Sequence, residues 1–138
     1  MLYVAKLTVP KNTLVSAPVS IDVNPHEDVV QSAQVMFPTN AAGLVGVRIL
    51  DRDSRFAPAP SSPTGWITGD GVTVEWDQDY TLSGPSHRVQ VQAYNLDDTF
   101  DRTIEVRIEA VPRSMRQVLQ AVAEEMRQAR LAALVRRG

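Results

Sequence analysis

The sequence predicts an all-β fold: an antiparallel β-sandwich or jelly-roll-like domain of about eight strands, with one α-helix at the C-terminal end. Three observations carry this. Short segments alternate apolar and polar residues with period two through most of residues 1–112. Turn-forming residues separate them, and no helical periodicity lies between, which argues against βαβ and dinucleotide-binding architectures. Residues 113–138 then switch to helix formers.

The strands follow in order. Tyr3, Ala5, Leu7 and Val9 alternate with Lys6 and Thr8, and Val19, Ile21 and Val23 form a second short run. Ala33, Val35 and Phe37 alternate with Gln34 and Met36, and Val45, Val47 and Ile49 with Gly46 and Arg48. Trp66-Ile67-Thr68 reads as a short strand, and Val72, Val74 and Trp76 as another. Val89, Val91 and Ala93 share one face of the next strand, and Ile104, Val106 and Ile108 one face of the last. Asp70-Gly71 between Ile67 and Val72 is a hairpin signal. Asn24-Pro25, Pro38-Thr39-Asn40, Ser83-Gly84-Pro85 and Asn95–Asp98 mark further turns.

Two stretches lack periodicity. Phe56–Gly65 holds Pro58, Pro60 and Pro63 and reads as a long surface loop of extended, polyproline-like character. Lys11–Pro18 reads as a linker, so residues 1–18 are a candidate N-terminal arm on a sandwich spanning 1–112.

The tail, 113–138, reads as one basic amphipathic helix. Pro112 ends the last strand and Ser114 can cap the helix. Met115, Leu119, Val122, Met126, Ala129 and Ala133 follow the 4-3-4-3-4 rhythm of a coiled-coil seam. Val118, Leu134 and Val135 widen it, which also suits a flat apolar surface. A lone helix is marginal in water, so this one needs a partner: its own sandwich, a second copy, or another protein.

Charge divides the chain the same way. Residues 1–112 carry 8 Lys+Arg against 14 Asp+Glu, and residues 113–138 carry 6 Arg against 2 Glu. An acidic body with a basic tail points to an acidic partner for Arg113, Arg116, Arg127 and Arg130, or to a solvated helix in an arginine-rich chain. With no aromatic residue in the tail, sequence-specific nucleic-acid reading is not expected.

Catalytic and metal chemistry find little support. The chain has no cysteine, which excludes disulfides, thiolate catalysis and Cys-ligated metal. His26 and His87 lie beside turns, outside any nucleophile motif. Phosphate-loop, HExxH and EF-hand patterns are absent. Asp97, Asp98 and Asp101, with Asn95, are a candidate weak Ca²⁺ cluster, although Asp and Asn also favour loops for their local hydrogen bonds. No cofactor is expected, no membrane span of about 18 apolar residues occurs, and the chain is not expected to be an enzyme.

Phe37-Pro38, Gly43–Leu50, Gly65–Asp70 and Tyr94–Thr99, with the terminal arms, give the chain a resemblance to small all-β virion proteins of tailed phages. Capsid decoration and head- or tail-completion proteins have this form. The resemblance is architectural and implies no catalytic residues. It implies a structural virion protein that binds copies of itself or other virion subunits. Met115, Leu119, Val122 and Met126 would then be buried at the contact. A carbohydrate- or cell-surface-binding sandwich is the alternative, with Trp66, Trp76, Tyr80 and the proline-rich loop as its platform.

Overall fold

The alternation in Thr103–Glu109 becomes the two faces of the longest strand, around which the first sheet is built. A computed structural model describes residues 1–58, 64–77, 79–84 and 86–137, with the backbone only for 113–117 and 135–137. Among these residues there are ten strands and one helix. The strands are β1 (Leu2–Val9), β2 (Val19–Val23), β3 (Val29–Met36), β4 (Val45–Asp51), β5 (Ser54–Ala57), β6 (Ile67–Thr68), β7 (Thr73–Trp76), β8 (Tyr80–Thr81), β9 (Val89–Asn95) and β10 (Arg102–Val111). The helix is α1 (Arg113–Arg137), so Ser114 falls in its first turn rather than before it.

The strands form two five-stranded sheets. Sheet A has the order β1-β10-β3-β7, with β8 also paired to β3; sheet B has the order β2-β9-β4-β5, with β6 also paired to β4. All these pairings are antiparallel. The pairing is nested: β1 with β10, β2 with β9, β3 with β7 and β4 with β5. Each pair encloses the next in sequence, and successive pairs alternate between sheets. This is the wrap of a jelly roll.

The ten strands occupy eight lanes, which is why eight were legible. β5 pairs with Ile49–Asp51 of β4, and β6 continues along the same edge at Gly46 and Val47. β7 pairs with Ala33–Met36 of β3, and β8 continues at Val29 and Val30. Each outer lane is one strand interrupted by a loop.

The core lies between the sheets. Sheet A contributes Val9, Val30, Val35, Ile104, Val106 and Ile108; sheet B contributes Val45, Val47, Ile49, Val89 and Val91, all at most 1% exposed. Fully burying such a side chain stabilises the fold by about 1.5–3 kcal/mol. A bulge sets the register: Glu109 faces Ser32 but Ala110 faces Val30, so Gln31 has no opposite residue. Both Val30 and Ala33 therefore point inward despite their odd spacing.

One turn works differently from its sequence signal. Asp70-Gly71 does not close a hairpin, because β6 lies in sheet B and β7 in sheet A. Gly71, at φ 60°, lets the chain cross between sheets, and the crossing is held by Phe37 N–H donating to the Val72 carbonyl at 3.0 Å. The hairpin of sheet B is instead β4–β5, turned at Arg52, φ 56°.

Candidate interaction surfaces

Helix α1 presents the least partnered surface. Every residue from Val118 to Leu134 is exposed. On the expected seam, Leu119 is 49%, Val122 48% and Met126 57% exposed. Near the root, Leu119, Gln120 and Ala123 share a shallow recess of about 220 Å³ with Gln31, Asp79 and Val111. The first turn holds no acidic residue of its own. Arg127 pairs with Glu124 at 2.6 Å along the helix, and Arg130 is exposed. The side chains of Arg113, Met115 and Arg116 lie outside the described residues.

The arm-like segment 1–18 is a docked strand and linker. β1 pairs with β10 from Leu2↔Glu109 to Val9↔Arg102. Its inner face buries Ala5 and Val9, while Leu2 and Val4 are exposed on the outer face. Tyr3 Oη donates to Glu27 Oε2 at 2.6 Å, and this hydrogen bond holds the Glu27 carboxyl below its ordinary pKa. The linker then binds the β9–β10 loop. Lys11 N–H donates to Asp101 Oδ1, Asn12 N–H to the Asp97 carbonyl, and Thr13 bridges Asn95.

That loop explains its own acids. Asn95 is fully buried; its Nδ2 donates to the carbonyls of Val9 and Phe100, and its Oδ1 accepts from Asp97 N–H. Asp97 Oδ1 accepts from the Thr99 and Phe100 N–H groups, and Oδ2 from Arg102 at 2.8 Å. These donors, the Thr99 N–H foremost and then Arg102, hold the Asp97 carboxyl below its ordinary pKa. Asp98 accepts from Thr99 Oγ1, and Asp101 from Lys11. Among the described residues no group of three or more His, Cys, Asp or Glu side chains has a metal-holding arrangement. The Asn95–Asp101 cluster is a loop scaffold tying the chain's beginning to its last strand.

The two histidines meet in one cleft. His26 and His87 line a space of about 240 Å³ with Asn24, Pro25, Asp28 and Ser86. His87 Nε2 lies 2.9 Å from Asp28 Oδ1, and Nδ1 lies 3.4 Å from the Ser83 carbonyl. Both ring nitrogens thus face loop acceptors rather than a serine hydroxyl.

The aromatic platform divides between two places. Phe56 stacks on Tyr80 (4.5 Å between centroids) and meets Trp76 edge-on (5.3 Å), against the core. Trp66 lies instead on the outer face of sheet B, edge-on to Tyr94 at 4.8 Å, with the Arg48 guanidinium 4.4 Å over its ring. Arg48 Nε also donates to Gln92 Oε1 at 2.7 Å. Trp76 alternates inward and Trp66 outward, so the three aromatics form no common binding face. Residues 59–63 of the proline-rich loop lie outside the described residues.

No family model matches the chain, and no curated protein does. Among solved structures, it is similar to a chain of the cyanophage Pam1 capsid asymmetric unit. That likeness has a TM-score of 0.56 at 13% identity and covers 81% of this chain and 84% of the other. At this identity the likeness is one of fold, in keeping with the architectural resemblance to all-β phage virion proteins.

Proposed function

We propose that the chain is a structural component of a virus particle, binding neighbouring capsid or connector subunits through its β-body and its terminal helix. The observation that carries this is the fold shared with a capsid chain over four-fifths of the sequence. Jelly rolls also serve lectins and cupins, so the fold alone does not select the role. The exposed seam of α1 and the opposite charges of body and tail support an assembly protein. In this reading the chain works by binding, without catalysis. Seam residues Leu119, Val122 and Met126, joined by Met115 through its spacing, supply apolar contact, and the basic residues Arg113, Arg116, Arg127 and Arg130 along the helix meet acidic surface.

The test is quantitative mass spectrometry on virus particles purified from the source of the sequence. A structural component is recovered in many copies per particle and withstands a high-salt wash. Recovery only from the soluble fraction refutes the proposal.

A further inference from the structure

The seam of α1 carries information about its own partner. Written as heptads, Leu119, Met126 and Ala133 take position a, and Val122 and Ala129 take d. Glu125 then falls at g and Arg130 at e, the flanking positions that set partner and orientation. In a parallel, in-register pair, a g residue faces the e residue five positions further along the other helix. Five positions beyond Glu125 is Arg130. In an antiparallel pair e faces e and g faces g. The g positions are Val118, Glu125 and Ala132, so Glu125 would meet no cation in any antiparallel register. Charge selects the parallel arrangement.

The structure leaves these groups available. Val122, Glu125, Met126, Ala129, Arg130 and Ala133 are all exposed. The ion pair along the helix, Glu124 with Arg127, sits at positions f and b, away from the seam. The recess at the helix root takes Leu119, Gln120 and Ala123, and the seam from Val122 to Ala133 is exposed among the described residues. Leu131 and Leu134, at f and b, stay outside this contact.

We propose that the partner of α1 is α1 of a second copy of this chain, parallel and in register, with Glu125 of each helix paired to Arg130 of the other. This rests on the assembly reading above and names its partner. The small alanines at 129 and 133 allow close approach but bury little area, so the pairing is reversible and concentration-dependent.

The chain has no cysteine, so one substitution introduces one thiol. Val122→Cys and Ala133→Cys variants are each expected to form disulfide-linked dimers on mild oxidation, while Gln128→Cys, on the outer face, is not. An antiparallel pair can bring only one level of the seam onto itself, so crosslinking at both levels establishes the parallel register. An Ala133→Cys chain that stays monomeric, or a Gln128→Cys chain that dimerises as readily, overturns the proposal. Glu125→Arg and Arg130→Glu are each expected to weaken association by roughly five- to tenfold in light scattering, and the double swap to restore it. Loss in both single variants without recovery in the double also overturns it. All these positions are exposed, and circular dichroism verifies the β-body of each variant. The crosslinks are read on purified chain alone. If they fail while the chain is recovered from particles, only the self-paired helix is lost; the reverse pattern removes the virion reading and keeps the pair.

Discussion

Gly46 lies directly beneath the ring of Tyr94, so that a β-carbon at position 46 would overlap the aromatic ring. The two residues are cross-strand partners on the outer face of sheet B. Gly46 leaves room for the ring to lie flat, and the ring covers backbone that the glycine would otherwise leave bare. Gly46→Ala therefore forces Tyr94 off the sheet and away from Trp66. The expected cost is about 1–3 kcal/mol, read as a lower urea midpoint at unchanged slope. Adding Tyr94→Ala should recover part of that loss, because the overlap then disappears.

The two tryptophans, both half-buried, should report different surroundings: Trp76 packs against the core and Trp66 lies on the outer face of sheet B. Phe56→Ala removes the ring stacked on Tyr80 and opens the core beside Trp76, with an expected cost of about 3–5 kcal/mol. Trp66→Ala should cost much less, because that ring is only partly covered on the outer face. In a Trp66→Phe background the remaining Trp76 emission should be bluer and less readily quenched than that of Trp66 in a Trp76→Phe background. Equal quenching of both tryptophans would contradict the division of the aromatics.

Acid should loosen the contact between the chain's beginning and its last strand. A carboxyl whose folded-state pKa lies below its unfolded value contributes stability that is complete above the unfolded value and is lost as pH falls through the folded one. Asp97 and Glu27 both have lowered values, so the urea midpoint should be flat from neutral pH to about pH 5 and fall below about pH 4. Asp97→Asn should lower the neutral-pH midpoint and flatten the acid limb. Calcium or EDTA should leave the melting temperature unchanged, since Asp97 already accepts from Thr99, Phe100 and Arg102.

The helix should be dispensable for folding. Residues 118–134 are exposed and the core lies between the sheets, so a chain ending at residue 112 should keep its β circular-dichroism signal and lose association. Leu119→Asp with Met126→Asp should do the same in the full chain without changing its melting temperature. Unchanged mass in light scattering would take the helix out of the contact.

Period-two alternation was enough for eight lanes because each lane has at least one segment with an inner and an outer face. Ser54–Ala57 and Tyr80–Thr81 escaped it. They are short, and what makes them strands is hydrogen bonding to β4 and β3, which no local pattern records. Val29-Val30 escaped for another reason: the bulge at Gln31 breaks the alternation that begins at Ala33. Asp70-Gly71 announced a turn correctly, but turn chemistry does not say whether the chain returns to the same sheet or crosses to the other. Of the candidate contact residues, Leu119, Val122 and Met126 follow a helical spacing readable in the sequence, and the structure leaves them exposed on α1. The inward facing of Trp76 was legible from its alternation with Thr73 and Glu75, whereas the contact of Trp66 with Tyr94 and Arg48 on the outer face was not, because those partners meet it only in the fold. The role of Asn95 as a buried hub was hidden for the same reason, because its partners Val9 and Phe100 meet it only in the fold.

The nested pairing has a consequence for synthesis. β10 sits between β1 and β3, so the central rung of sheet A is the last strand to leave the ribosome. Until then β1 has no neighbour to join, and the edges of β1 and β3 stand open to strands of other nascent chains. Contacts this distant in sequence close slowly. Sheet A therefore closes only once β10 has emerged: a chain stalled before residue 102 holds no partner for β1.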